Sequence, residues 1–206
     1  MNDSDLVLPV ECHPLSAHNK VNWPTTKEGA FLRKYLQPMS KHGIPEFFKN
    51  VHTDMHIVLC DGVALPYTVG SYGKHNSYVC APQSHYVEYS QDELRHIEDR
   101  LSYWSVKGLI PPLRLLCRWG QLNKAVLVNN WLLSTNLYPS LTQLQVRSIV
   151  RYLRERYPQH AIVFRSIDLA VRQQLYDWLS VEGARMVMSR RVHVLFKENE
   201  KAWRRK

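Results

Sequence analysis

The chain has 206 residues, 45% of them hydrophobic and 22% charged, and 27 Lys+Arg against 18 Asp+Glu give a formal charge of +9. Such proportions fit an ordinary soluble globular chain of one domain, or of two small subdomains sharing a core. They argue against disorder, collagen and coiled coil.

Residues 1–26 read as irregular, because Pro9, Pro14 and Pro24 interrupt any period. Met1–Asp5 holds two acids and no apolar run, so no secretory signal is expected there. Periodicity predicts a short helix over Lys27–Leu36, with Phe31, Leu32 and Tyr35 as its apolar side, and a loop from Pro38 to Pro45. Met55–Cys60 and Val63–Val69 read as strands around Asp61-Gly62, a pair that suits a type I′ hairpin turn. Ser77–Ala81 reads as a third short strand. Ser90 and Glu93 have capping-box spacing, which predicts a helix over 91–106 with Leu94, Ile97, Leu101 and Trp104 on one face. A second short helix is expected from Pro111 to Trp119.

From residue 124 the pattern changes. Ala125–Leu133 reads as a buried strand. Ser140 and Gln143 form another capping-box pattern, ahead of a helix with Val146, Ile149, Val150 and Leu153 inward. Ala161–Arg165 reads as a strand, and Asp168 as the cap of a helix carrying Leu175, Trp178 and Leu179, with Gly183 just past its end. Met186–Phe196 reads as a long last strand. Strand-helix-strand-helix-strand requires crossovers and a parallel pair, and the upstream hairpin makes the sheet mixed. The expected fold is therefore α/β (α+β), a mixed, mostly antiparallel central sheet flanked by helices. It is read as a single domain over 1–206, with an N-terminal half (1–123), a C-terminal half (124–196) and a basic tail (197–206).

The most unusual stretch is Asn129-Asn130-Trp131, followed by Ser134-Thr135-Asn136. Adjacent amides at the end of a buried strand are costly unless hydrogen-bonded, and on a strand they point to opposite faces. They form either a bulge bonded to the backbone or a strand end open to a ligand, in the crevice where open α/β sheets bind. Arg165-Ser166 ends the next strand beside that crevice. Arg165 is either a phosphate or carboxylate clamp or a partner of Asp168. A ligand-sized pocket between Ala125–Trp131 and Ala161–Arg165 would favour transfer chemistry there, and a closed, filled seam would weigh against it. Tyr176 is either a proton donor or a half-buried packing tyrosine.

Other patterns carry less. His52 and His56 are four apart, but on a strand that spacing does not group metal ligands, and no metal site is expected. Cys80 and His85 raise a thiol nucleophile with its base, against a buried inert thiol. The four cysteines lie far apart with no CxxC pair, which argues against a zinc ribbon or a disulfide scaffold. No GxxxxGK[ST] or GxSxG occurs. The apolar run Ala125–Leu133 is too short to span a bilayer. A cytoplasmic setting is the expectation.

The charge is placed unevenly. Residues 1–141 carry 13 Lys+Arg and 12 Asp+Glu, whereas residues 142–206 carry 14 and 6, a net of +8. Arg147, Arg151 and Arg154 recur along one helix flank, and Arg190 adds to them. The excess is either a solvated face with a basic tail or a docking surface for an acidic partner.

Residues 124–196 resemble the GNAT superfamily of acyltransferases in element order. Leu175-Tyr176-Asp177-Trp178-Leu179 with Gly183 is similar to the Leu-Tyr-Glu-x-Leu-Gly segment of those enzymes. Asn76–Pro82 and Ser189–His193 resemble an uncharacterised bacterial branch of GNAT-like proteins. The resemblance implies a GNAT-like fold and transfer of an acyl or aminoacyl group from a carrier thioester or ester to an amine, with Tyr176 as general acid. The strand end at Asn129–Trp131 would then polarise the donor carbonyl, and Ser134, Thr135, Asn136, Arg165 and Ser166 would line the donor crevice. The family's glycine-containing pyrophosphate loop is replaced here by Asn136-Leu137-Tyr138-Pro139-Ser140-Leu141. That makes the chain more similar to N-acyl amino acid synthases, whose donor is an acidic acyl carrier protein. The donor the resemblance implies is acyl-CoA, acyl carrier protein or aminoacyl-tRNA, and no tightly bound cofactor is expected. The rival expectation is a non-catalytic GNAT-like module that binds RNA or an acidic protein.

Overall fold

The computed structural model describes residues 6–70 and 76–188. A five-stranded mixed sheet runs in the order β1 (Val10–Pro14), β2 (Asp54–Cys60), β3 (Val63–Val69), β4 (Ala125–Val128), β5 (Ala161–Phe164). Neighbours are antiparallel except β4 and β5, which are parallel and joined through α5 (Gln143–Arg156). α1 (Lys27–His42) and α2 (Ile44–Phe47) precede β2, and helical segments over 84–96 and 100–119 separate β3 from β4. The sheet is thus mixed, mostly antiparallel and flanked by helices.

The hairpin forms as its turn chemistry dictates, with Asp61 and Gly62 both at positive φ (43° and 73°) and Cys60 opposite Val63. Alternating side chains of β2 then feed two cores. Met55 and Ile57 pack with Leu32, Leu36 and Met39 of α1, and Val58 and Cys60 pack with Tyr67, Val126, Ile149 and Leu153. Both faces are covered, so Ile57 and Val58 are each fully buried.

Several elements differ from the sequence expectation for identifiable reasons. Val10–Pro14 is an edge strand rather than irregular chain, and Pro14 sits at its last position. α1 continues through Pro38 to Gly43, whose φ of 84° ends it. Ser77–Ala81 is a turn, because the Asn76 carboxamide holds the chain locally: its Oδ1 accepts from His52 and Ser77 N–H and its Nδ2 donates to His52 C=O. The predicted helix over 91–106 is two pieces. Ser90 lies inside helical structure that has already begun at Ser84, as a π-helix running into α3 (Tyr89–Glu93). The chain opens at Ile97, and Asp99 caps α4 (Arg100–Trp119), which is continuous through Pro111 and Pro112.

β4 stops at Val128, well short of Leu133, because Asn129 turns to φ 54°. The capping box forms at Thr142 and Gln145, two residues later than Ser140 and Gln143. Val146, Ile149, Val150 and Leu153 are inward as expected.

The chain divides into two compact units, residues 1–166 and 167–206. In the second unit Asp168 caps α6 (Leu169–Val181), Leu175 and Leu179 are buried, and Gly183 closes the helix at φ 81°. Met186–Met188, the first residues of the predicted last strand, carry no regular structure, and the rest of that strand, Arg190 and the basic tail lie outside the described residues.

Candidate functional site

Where β4 and β5 end side by side, the structure brings together Asn129, Asn130, Trp131, Asn136, Arg165 and Ser166. The left-handed turn at Asn129 lifts the chain off the ladder. Asparagine tolerates that conformation better than other non-glycine residues. Leu132 (φ 59°) and Ser166 (φ 60°) repeat it at the two rims.

Asn130 uses every hydrogen-bonding position it has. Its Nδ2 donates to Thr68 Oγ1 and to Val79 C=O, both at 2.8 Å. Its Oδ1 accepts from Leu132 N–H at 3.1 Å and from Arg165 Nη1 at 3.2 Å. Arg165 Nη1 also donates to Val79 C=O at 2.8 Å. One asparagine and one arginine therefore tie both strand ends to the turn after Asn76.

Asn129 and Trp131 form a second knot. Asn129 Nδ2 and Trp131 Nε1 both donate to Leu137 C=O, at 2.8 and 3.0 Å, and Trp131 Nε1 also donates to Asn129 Oδ1. Tyr35 of α1 donates to Trp131 C=O at 2.6 Å, and burial raises the phenol's pKa above the ordinary value. Tyr138 donates to Arg165 C=O at 2.7 Å. Trp131 and Tyr138 are buried, so side chains fill the seam between the strand ends. A filled seam weighs against transfer chemistry at this place, and Asn130 takes the bonded form of the two readings open to it.

Asn136 is the exception. It is 5% exposed, and its Oδ1 accepts a long bond of 3.4 Å from Trp131 N–H. Its Nδ2 has no hydrogen-bond partner in the structure. Such a buried orphan donor costs about 1–3 kcal/mol. The Trp131 N–H fixes the amide orientation, since a flip would set N–H against N–H. Asn136 N–H itself reaches Ser166 Oγ at 3.4 Å.

Ser134 and Thr135 are exposed on the loop above the seam, and each has an interaction partner. The N-terminus of α5, where a pyrophosphate would bind, is occupied by its own capping box. Thr142 Oγ1 accepts from Gln145 N–H, and Gln145 Oε1 accepts from Thr142 N–H at 2.8 Å. Gln145 Nε2 continues to Asp61 C=O. Arg147, Arg151 and Arg154 run along one flank of α5, and each already has a partner within the chain. Tyr176 is half-buried on α6 of the second unit.

Cys80 is buried and donates to Asn76 Oδ1 at 2.9 Å. Desolvation pushes its thiol up to about 11, against a smaller pull from Arg165. It is built as an inert core thiol.

Sequence reasoning missed a cleft of about 480 Å³ at the end of α1 and the start of β2. Met39, Ile44 and Met55 line it with Ser40, His52 and Asp54. The histidines at 52 and 56 were its signal, but their spacing points to a metal only on a helix. Met39 lies one helical turn from Tyr35, which holds Trp131, so α1 reaches from the cleft to the seam.

No protein-family model, curated protein or solved structure matches this chain.

Proposed function

We propose that the chain is an N-acyltransferase of GNAT-like architecture, moving an acyl or aminoacyl group from a carrier thioester or ester to an amine. The observation that carries this reading is the orphan Nδ2 of Asn136, buried at the mouth of the only parallel strand pair among the described residues. Polarising a donor carbonyl requires a fixed N–H in a water-poor place, and such a donor is worth most when no protein group competes for it. The element order supports it: antiparallel strands, then β4, α5 and a parallel β5.

The donor is carrier-borne rather than held by its pyrophosphate. The segment before α5 has no glycine, and the capping box already uses the Thr142 and Gln145 N–H groups there. An acidic acyl carrier protein or a tRNA also suits the net +8 of residues 142–206. The general-acid role that the resemblance gives Tyr176 is a separate proposal. In Tyr176→Phe, turnover falls while donor binding persists, and unchanged turnover would remove the role.

The test offers the protein acyl-loaded carrier protein, acyl-CoA and aminoacyl-tRNA, each with a mixture of amines, and reads amide product by mass spectrometry. Consumption of one donor is expected, with Asn136→Ala slower by about 10²–10³-fold, the cost of one oxyanion donor. Transfer unaffected by that change defeats the reading.

The filled seam favours a second reading, a non-catalytic module for RNA or an acidic protein. It predicts binding that weakens steeply with salt and disappears when Arg147, Arg151 and Arg154 are replaced together. Asn136→Ala would then change nothing.

A further inference from the structure

α4 (Arg100–Trp119) is apolar on two sides. On one side Tyr103, Val106, Ile110 and Cys117 pack against Val87, Leu94 and Ile97. On the other side Leu101, Trp104, Leu109, Leu115, Leu116 and Trp119 stand in water, with Leu101 78% and Trp119 85% exposed. At 100° per residue these six side chains cover an arc of about 140°. Arg100, Lys107, Arg114 and Arg118 fall in one row along an edge of that arc, and the helix contains no Asp or Glu. Lys107 Nζ lies 4.7 Å from the Trp104 ring centre, so a cation and an interfacial aromatic share the edge. Arg114 reaches back to Gln91 Oε1.

We propose that this face of α4 lies in the headgroup region of an anionic lipid bilayer. Charge decides the occupant. Leucine and tryptophan on one arc with a row of Lys and Arg at its border suit an in-plane helix, whose rings sit at headgroup level while the cations meet lipid phosphates. A second copy packed antiparallel on this arc would set two rows of like charge side by side, whereas lipid phosphates meet the row with opposite charge. No helix of the described residues is long and apolar enough to cross a membrane, so α4 lies along the surface rather than through it. The proposal does not rest on the transferase reading.

The experiment is flotation of the full chain with vesicles of pure phosphatidylcholine and with vesicles holding roughly a third phosphatidylglycerol. About fivefold tighter partition per cation near the anionic surface is the expected scale, so binding to the mixed vesicles exceeds binding to the neutral ones by well over tenfold and falls in high salt. Tryptophan emission shifts to the blue on binding. The double variant Leu109→Glu/Trp119→Glu changes two exposed positions and loses flotation while its far-ultraviolet circular dichroism stays unchanged. Lys107→Glu/Arg114→Glu keeps weak binding to both vesicle types and loses the anionic preference. Failure of the wild type to float overturns the proposal, and so does flotation that survives the Leu109/Trp119 change. A dimer in solution that this double variant dissolves, with no vesicle binding, assigns the face to a second copy instead. Retention of an acidic protein without vesicle binding assigns it to that partner.

Discussion

Replacing Asn136 and Asn130 separately distinguishes a ligand group from a structural one within the same seam. Both are buried asparagines, and by side-chain chemistry alone they should cost the same. Asn130→Ala removes four hydrogen bonds and strands Leu132 N–H. At about 1 kcal/mol per bond the loss is about 4 kcal/mol. For a chain of this size about 2–4 °C accompanies each kcal/mol, so the midpoint drops by about 8–16 °C. Asn136→Ala removes a 3.4 Å bond from Trp131 N–H and also removes a buried donor that had no partner. The loss and the relief nearly cancel, leaving a change within about 1 kcal/mol. Thermal unfolding followed by circular dichroism at neutral pH reads both. If Asn136→Ala lowers the midpoint as far as Asn130→Ala does, the Asn136 amide is part of the structural knot and the carbonyl site is lost from the account.

Cys80, with its thiol pushed up to about 11 by burial, is about one thousandth ionised at pH 8; in the native protein iodoacetamide leaves it unmodified for hours, and rapid labelling seen by mass spectrometry would refute the inert assignment. A methyl group on Gly70 would meet the Asn123 and Ala125 carbonyl oxygens beside the β3–β4 junction. Gly70→Ala therefore costs about 3 kcal/mol in urea unfolding, and a neutral result would mean the junction is looser than described. Desolvation holds His56 below 6.5 in the folded state. Protonation thus favours the unfolded chain, so this contribution is complete above about pH 6.5 and is lost as pH falls through the folded value. His56→Gln should flatten the stability profile in that range, and an unchanged slope would assign it to other groups.

What could be read in advance was local. Asp61-Gly62 announces its turn because two positive φ values have few solutions in sequence. The inward face of α5 is legible because Val146, Ile149, Val150 and Leu153 share one stripe of a short helix with both ends marked. Other features depended on contacts distant in sequence. The end of β4 at Val128 is set by Asn129, and the fate of the paired amides by Thr68, Val79 and Leu137. Adjacency marked Asn129-Asn130 as costly, but nothing in the sequence marked Asn136, further along the loop, as the amide left with a donor unbonded.

The prolines of α4 misled for a related reason. Pro111 and Pro112 delete donors toward the Lys107 and Gly108 carbonyls, and both carbonyl-bearing residues are exposed. Water takes those acceptors, so the rule that proline ends a helix loses most of its force there. The edge strand β1 is five residues long and ends in proline, too short for its alternation to stand out from Pro9 and Pro14.

If the seam beside Asn136 receives an acyl group, the protein should carry its donor with it out of the cell. Intact mass spectrometry of the chain purified under native conditions from its own cells, with Asn136→Leu purified in parallel, reads this. An acyl-loaded carrier protein or an aminoacyl-tRNA should accompany the wild type and be depleted from the variant. Retention of no acyl-bearing molecule, or equal retention by both proteins, would mean that the seam holds no acyl donor.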